Sequence, residues 1–219
     1  MKNLITTAAA IAVSAAMSLT AAHAAVVDFA LEADTNGERG LADGDMLTLG
    51  GVQMIFAAGV EMNGVLSPDA NVYLDAGQAG LGVCSTGLTA AAQCVVPSDD
   101  NLADREMAGI GFLNGTFNLS NFVFRGSNHA ILGDDAMITL SVAQNGLLDT
   151  RTLSIGALAA LSAMNDAFLM NAEGILLGFA GTPFYLSSFE ATPTPIPAAG
   201  LLFGTALAGA GFMRRKRPA

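Results

Sequence analysis

The stretch TFNLSNFVF at residues 116–124 decides the fold class of this chain. Apolar and polar side chains alternate along it, and successive side chains of a β-strand point to opposite faces of a sheet. The residues expected to face a core are Phe117, Leu119, Phe122 and Phe124. Residues 116–124 therefore predict a half-buried β-strand.

Nine further short segments of alternating or continuous apolar character are predicted to be strands: 26–33, 46–49, 52–57, 72–74, 106–112, 137–143, 152–155, 175–179 and 184–190. Asn-Gly or Asp-Gly pairs, which supply the positive φ of tight hairpin turns, stand at 36–37, 43–44, 63–64, 114–115 and 145–146. Ten short strands in one domain predict an all-β fold, a two-sheet β-sandwich of jelly-roll type.

One segment interrupts this pattern. Residues 157–165 are rich in good helix formers and space Leu158, Leu161 and Met164 three apart, so one short helix is predicted there. The Thr-Pro repeat at 192–195 cannot pair as an interior strand. It is predicted to be a short stiff linker that follows the sandwich ectodomain at 25–191.

The N-terminal residues 1–24 have the features of a signal peptide. Lys2 gives a basic start, an apolar stretch follows at 8–19, and Ala22 and Ala24 form an A-x-A cleavage site before Ala25. We therefore expect an exported protein, with signal peptidase and the export machinery as the partners of this segment.

The C-terminal residues 194–219 read TPIPAAGLLFGTALAGAGFMRRKRPA. The 18 residues at 196–213 are apolar and would reach about 27 Å as a helix, just enough for a transmembrane helix. The basic residues Arg214, Arg215, Lys216 and Arg217 follow. Positive charge next to a span resists translocation, so residues 214–219 are expected to form a basic cytoplasmic tail.

This tail resembles the PEP-CTERM sorting domain of bacterial surface proteins, in its VPLPA-type variant. The matching motif is Pro195, Ile196, Pro197, Ala198, Ala199 and Gly200, with Ile where the variant usually has Leu. The resemblance implies that the chain is the substrate of an exosortase, processed near 195–198 after an inner-membrane intermediate. It also implies delivery to the cell surface or extracellular matrix of a Gram-negative bacterium. The alternative is an ordinary single-span anchor.

The middle of the chain is similar to the ectodomains of such PEP-CTERM proteins over roughly residues 45–145. The residues that carry this likeness lie at 72–75, 80–84, 94, 99–101, 122–125 and 128–129. Around 104–106 the chain departs from the usual form, in which a longer acidic lead precedes the next strand. The likeness implies fold and export rather than a particular chemistry.

The ectodomain is strongly acidic. All 19 acidic residues fall within it, against only Arg39, Arg105, Arg125 and Arg151, so its formal charge is 4 minus 19, or −15. Such a surface repels nucleic acid and anionic lipid, and we expect no nucleic-acid partner. A solvated surface is the simpler interpretation of this charge, and recruitment of divalent cations is the alternative.

The two cysteines, Cys84 and Cys94, are predicted to form a disulfide, because an exported protein meets an oxidising compartment. Closing so short a loop stabilises a fold by about 2 to 3 kcal/mol in the chain-entropy model. A two-cysteine metal site or a catalytic thiol is the alternative, but neither further ligands nor a base is placed beside them.

No cofactor is expected, with Ca²⁺ as the one alternative. The candidate ligands are Asp99, Asp100, Asn101 and Asp104, because oxygen ligands at such spacing can converge on Ca²⁺. A second acidic loop, 34–45, resembles a calcium loop in composition but lacks EF-hand spacing. In both loops Asp and Asn also serve ordinary turn chemistry.

The sequence predicts that the protein is not an enzyme. No Gly-x-Ser-x-Gly motif is present, and after signal cleavage His129 is the remaining histidine, with Asp134 or Asp135 as its nearest acids in sequence. We expect a structural or interaction role associated with exopolysaccharide. A calcium-dependent carbohydrate-binding module is the second hypothesis, although the chain has no Trp and two Tyr to stack on sugars. An unrecognised hydrolase is the third.

Overall fold

A computed structural model describes residues 23–62, 65–67, 70–95 and 100–194. The described chain contains 13 strands and two α-helices. The strands are β1 Ala25–Asp28, β2 Arg39–Leu41, β3 Met46–Leu49, β4 Val52–Met62, β5 Val65–Ser67, β6 Asn71–Asp75, β7 Gly80–Cys84, β8 Glu106–Phe112, β9 Phe117–Gly126, β10 Met137–Gln144, β11 Leu147–Ser154, β12 Gly174–Phe179 and β13 Phe184–Pro193. The helices are α1 Phe29–Asn36 and α2 Ile155–Ala163, followed by a 3₁₀ turn at Ala167–Leu169.

The strands form two antiparallel sheets. In sheet A, β13 pairs with β9 along one side and with β1 and β7, at different residues, along the other, and β6 and then β2 follow β7. Sheet B has the order β11-β10-β12-β8-β4-β3, and β5 pairs with β4. Both sheets contribute side chains to one apolar core. Its members include Val72, Leu81 and Leu186 from sheet A and Met54, Ile110 and Leu177 from sheet B. The predicted all-β, two-sheet fold is confirmed.

Strand β9 contains the stretch that predicted the fold, and a β-bulge explains its side-chain pattern. Phe117, Leu119 and Phe124 are buried in the core, and Phe122 packs against it. A strict alternation could not bury both the odd and the even positions. The β9–β13 register shifts where Asn121 adopts a φ of 51°, so an extra residue resets the phase of the strand.

Helix α1 corrects the predicted strand at 26–33. The chain leaves β1 at Asp28, whose carboxylate accepts the backbone N–H of Leu31 at 2.8 Å as an N-cap. Gly37 ends the helix with a φ of 90° and donates its N–H to Ala33. The pair at 36–37 is therefore a helix C-terminus rather than a hairpin turn.

The pair Asn145-Gly146 forms the predicted hairpin turn, between β10 and β11. Asn145 has a φ of 51° and Gly146 a φ of 73°, which are the two positive φ values of a type I′ turn. The pair at 114–115 instead joins β8 of sheet B to β9 of sheet A, and the pair at 63–64 lies outside the described residues.

Most other predicted strands appear with shifted ends, and three strands were missed. The missed strands are β2, β5 and β7. The predicted helix is present as α2, and Ser154 caps it by accepting the N–H of Ala157. Strand β13 runs to Pro193, so the first two residues of the linker predicted at 192–195 belong to the strand instead. Proline has no N–H to donate to a neighbouring strand. Pro193 is tolerated because it is the last residue of β13, where it pairs with Phe117 of β9.

The two ends of the chain cannot be compared with the sequence predictions. The predicted signal peptide as far as residue 22, the predicted sorting motif at 195–200 and the predicted span at 196–213 lie outside the described residues. In the part that is described, no helix combines the length and the apolar character needed to cross a membrane.

Candidate functional site

The outer face of sheet A carries an unusual set of buried polar side chains. On β6, Val72 and Leu74 belong to the core, so the alternating residues Tyr73 and Asp75 point to the opposite face. On β13, Tyr185 lies on that same outer face, since its neighbours Phe184 and Leu186 are core residues. Asp75 and Tyr185 are nevertheless only 5% and 2% exposed.

A loop covers this outer face and explains the burial. We call residues 85–95 and 100–103 the covering loop. It lies directly against glycines of sheet A: a Cβ on Gly82 would overlap the carbonyl oxygen of Asp100, and one on Gly40 would overlap the side chain of Leu88. Backbone hydrogen bonds hold it as well, with Gly40 donating to Ala92 at 2.7 Å. The glycines therefore admit the loop to the sheet.

The disulfide Cys84–Cys94 fastens the covering loop to the end of β7, with the two Cα atoms 5.6 Å apart. The predicted pairing is confirmed. Next to Cys94, Gln93 accepts a hydrogen bond from the Tyr73 hydroxyl at 2.8 Å and donates its amide to the carbonyl of Glu38 at 2.9 Å. The disulfide thus positions the Gln93 side chain, which links the covering loop to β6.

The loop and the sheet meet in a group of four side chains, Asp75, Asp100, His129 and Tyr185, which we call the polar cluster. The Tyr185 hydroxyl donates to Oδ1 of Asp100 at 2.5 Å and also lies within hydrogen-bonding reach of Asp75. Burial, and then the hydrogen bond to the negative Asp100, raise the pKa of Tyr185 well above its ordinary range.

Asp75 is the most perturbed carboxyl group of the polar cluster. Burial, followed by the nearby charge of Asp100, raises its pKa to about 6, and His129 offsets part of this effect. The His129 Nε2 atom lies 3.1 Å from Asp75 Oδ2. Asp75 therefore gains or loses its proton in the same pH range as an ordinary histidine.

The geometry of His129 assigns a hydrogen to its Nδ1 atom and leaves Nε2 facing Asp75. Nδ1 lies 3.0 Å from the carbonyl oxygen of Gly77, and since a carbonyl can only accept, Nδ1 carries a hydrogen. The contact between Nε2 and Asp75 then needs one proton, carried by the ring as imidazolium or by the carboxyl group. Removing this proton places a nitrogen lone pair against a carboxylate, which is repulsive.

Other contacts fix the position of His129. Its backbone has a φ of 61°, and its ring packs edge-on against Tyr185, with 5.5 Å between the ring centroids. Arg125, which pairs with Tyr185 across β9 and β13, donates from Nη1 to the carbonyl of His129 at 2.8 Å. The turn that follows β9 is thereby held over the end of β6.

Tyr73 completes the acidic surroundings of the polar cluster. Burial, and then the negative charges of Glu38, Asp100 and Asp75, raise its pKa to about 12. Tyr73 and Tyr185 are the only two tyrosines of the chain. Both lie on the outer face of sheet A, and Tyr73 bonds to Gln93, the residue before Cys94.

The predicted calcium ligands have separate partners in the structure. Asp100 accepts from Tyr185, and the exposed Asp104 lies 3.1 Å from Arg105. Asn101 is buried, while Asp99 lies outside the described residues. No group of three His, Cys, Asp or Glu side chains suited to a metal ion occurs in the described ranges. Calcium binding stays a prediction.

The carboxylates of the other acidic loop, 34–45, accept backbone hydrogen bonds. Asp43 accepts from Ala58 at 3.0 Å and Asp45 from Ala42 at 2.8 Å. Asp34, within α1, accepts from Gly77 at 2.7 Å. These bonds are the turn and loop chemistry that short acidic side chains commonly provide.

A surface groove lies elsewhere, between α2 and the bulge of β9. Its volume is about 520 Å³, and its lining includes Asn121, Phe122, Leu158, Ser162 and Asn165. No titratable side chain lines the groove. The groove is therefore separate in composition from the polar cluster.

Sequence reasoning missed the polar cluster. His129 pairs with Asp75, not with Asp134 or Asp135, which are closer in sequence. The available signal was compositional, because the two tyrosines, the two cysteines and His129 are rare residue types in this chain. Comparison with known protein families, with curated proteins and with solved structures finds no match to this chain.

Proposed function

We propose that this chain is an exported surface or extracellular-matrix protein, sorted and processed by an exosortase-type system, with a non-enzymatic structural or interaction role associated with exopolysaccharide. The observation that carries the proposal is the Cys84–Cys94 disulfide, which holds the covering loop to sheet A. Disulfides of this kind persist in oxidising compartments outside the cytoplasm. The N-terminal and C-terminal sequence patterns favour the same destination.

The described domain suits a structural role. Asp75 and Tyr185 of the polar cluster are buried, and the Tyr185 hydroxyl and the Asp75 carboxyl group are directed to other members of the cluster, Asp100 and His129. A surface of formal charge −15 keeps such a domain soluble outside the cell. A jelly-roll arrangement of the two sheets is part of this proposal.

The test is the intact mass of the protein exported by a host with a functional exosortase. We expect a mature form that begins at Ala25 and lacks Arg214 to Arg217. A Pro195→Ala, Pro197→Ala double variant should retain the tail, and so should the native chain in a host without the exosortase. A secreted native protein that still carries Arg214 to Arg217 would exclude the sorting mechanism.

A hydrolase is the second candidate, and the polar cluster is the observation that favours it. Two carboxyl groups, one with its pKa raised to about 6, share surroundings with a histidine and a tyrosine, and such perturbed groups are frequent at catalytic sites. Turnover of the host polysaccharide that is lost in both His129→Ala and Asp75→Asn, but kept in Asp104→Asn, would favour this candidate. Equal product formation by all three variants would exclude it.

A further inference from the structure

Strand β11 leaves an eight-residue edge of sheet B open. It pairs with β10 on one side, and within the described ranges no strand pairs with its other side. Five of its residues are exposed: Leu147, Leu148, Asp149, Thr150 and Thr152. Such an edge is a template for pairing with another strand.

The other sheet edges of the described chain are short or covered. Strands β1 and β3 have four residues each, and β2 and β5 have three. Strand β9 is longer, but isolated bridges join Phe117 to Ala172 and Arg125 to Ile131 along it. Its Asn121 also donates its N–H to Ser162 at 3.3 Å. Among the described edge strands, β11 is therefore the long one whose outer side is neither paired nor bridged.

The hairpin register decides which backbone groups of β11 face outward. Gln144 and Leu147 flank a two-residue turn and are paired, so they form a hydrogen-bonded pair. Residues 147, 149, 151 and 153 then direct their backbone groups to β10. Leu148, Thr150 and Thr152 direct theirs away from the sheet.

We propose that β11 pairs antiparallel with β11 of a second copy of this chain, about a two-fold axis at Thr150. In this register Thr150 lies opposite its own counterpart, and Leu148 lies opposite Thr152. These outward-facing residues would form about six main-chain hydrogen bonds between the copies. The two seven-stranded sheets become one continuous sheet with an isologous interface.

Charge complementarity selects this register. Asp149 of each copy lies opposite Arg151 of the other, so each of these opposed pairs is favourable. Shifting the axis to residue 149 or to residue 151 places a like charge opposite itself. Axes at 148 or 152 leave Asp149 and Arg151 opposed to uncharged residues. Thr150 is the centre that matches both charges.

The side chains are placed to make these contacts. Asp149 and Arg151 lie on the same face, 3.2 Å apart, and their side chains are 50% and 40% exposed. Arg151 is held by Asp166 at 3.6 Å and by the ring of Phe168, so little side-chain freedom is lost on pairing. On that face Leu147, which is 75% exposed, lies opposite Leu153 of the second copy.

Cysteine cross-linking tests the register in the full chain, kept in non-ionic detergent. The native cysteines are paired, so an added cysteine is the single free thiol. Under mild oxidation Thr150→Cys should give a disulfide-linked dimer, whereas the matched Thr152→Cys should stay monomeric alone and cross-link when mixed with Leu148→Cys. Equal cross-linking by Thr150→Cys and Thr152→Cys alone, or none by Thr150→Cys, would overturn the proposal.

Charge reversal gives an independent test by sedimentation velocity. Asp149→Arg and Arg151→Asp each oppose like charges, and each should weaken association about tenfold. The double variant D149R/R151D restores opposite pairs and should restore the dimer. The double variant also lacks the Arg151 contact with Phe168, so recovery cannot come from improved folding. Single variants that associate as strongly as the native chain would refute the pairing.

Discussion

The hydroxyl of Tyr185 donates a hydrogen bond to Oδ1 of Asp100 at 2.5 Å, although the two residues are 85 positions apart in the sequence. This bond joins a strand of sheet A to the loop that covers it. Next to it lie Asp75 and His129, with Asp75 Oδ2 3.1 Å from His129 Nε2. The covering loop is thereby coupled to Asp75, whose pKa is raised to about 6.

Asp75→Asn should stabilise the protein at pH 7.5 and lose this advantage near pH 4. The pKa of Asp75 rises from its ordinary 3.8 to about 6 on folding. The stability that the native protein gains from protonated Asp75 is therefore fully present below pH 3.8 and is lost as pH rises through about 6. The change corresponds to roughly 3 kcal/mol. Asn removes the repulsion from Asp100 and Glu38, and its amide can donate to the Nε2 lone pair of His129.

Urea unfolding from pH 4 to pH 8 measures this difference, with Asp104→Asn as the control. Asp104 is exposed, so this substitution removes one negative charge without changing the buried surroundings of Asp75. A native protein more stable than Asp75→Asn at pH 7.5 would show that the buried carboxylate is not a net cost.

The tyrosines should ionise far above their ordinary pH. Absorbance at about 295 nm reports them cleanly because the chain has two Tyr and no Trp. In urea both should ionise near pH 10, whereas in the folded protein Tyr73 should ionise at about pH 12 and Tyr185 later. The associated stability is complete below pH 10 and is lost as pH rises through about 12. Tyr73→Phe assigns the first step, and a folded-state step near pH 10 would contradict the buried geometry.

Gly82→Ala should destabilise the protein strongly, by about 2 kcal/mol or more, because the new methyl group meets the backbone of the covering loop. Gly109→Ala is the matched control. It lies within β8, and its Cβ would have its nearest neighbour at 3.5 Å, an ordinary contact. Equal midpoints of chemical unfolding for the two variants would mean that the loop does not rest on Gly82.

Loss of the disulfide should cost about 2 to 3 kcal/mol of unfolding free energy. The double variant Cys84→Ser, Cys94→Ser tests this without leaving a free thiol, and the reduced native protein is its control. Because Gln93 is held beside Cys94, we also expect Tyr73 to ionise closer to pH 10 in the variant. Unchanged urea midpoints together with an unchanged Tyr73 titration would show that the disulfide neither stabilises the fold nor positions Gln93 against Tyr73.

Calcium should raise the melting temperature more than magnesium at equal concentration if Asp99, Asp100, Asn101 and Asp104 bind it, since ligand that binds only the folded state stabilises it. Asp104→Asn is the better test variant, because Asp100→Asn also removes the Tyr185 bond. Equal shifts from both ions would leave only general screening of an acidic domain. Calcium-dependent retention on the host polysaccharide would favour the carbohydrate-binding hypothesis.

Local sequence determined the features that depend on neighbouring residues. Alternation predicted β3 and β8 with their observed bounds and most other strands in part, and Asn145-Gly146 predicted its hairpin, since turn geometry needs only two positive φ values. The N-cap at Asp28 and the C-terminal Gly37 were also local signals of α1. The mainly apolar residues at 26–33 nevertheless led to the prediction of a strand there. The disulfide followed from there being two cysteines in a chain whose sequence predicts export.

Tertiary structure alone decided the sheet order, the polar cluster and the β-bulge that changes which side chains of β9 face the core. Strand β7 has a weak strand signal because glycine lacks β propensity, yet its Gly82 is what allows the covering loop to lie against the sheet. Asp75, Asp100, His129 and Tyr185 come from four separate segments, and the raised pKa values of Asp75 and Tyr185 depend on burial and on the charge of Asp100. Those quantities exist only after the chain has folded, because desolvation and Coulomb interactions act through space and not along the sequence.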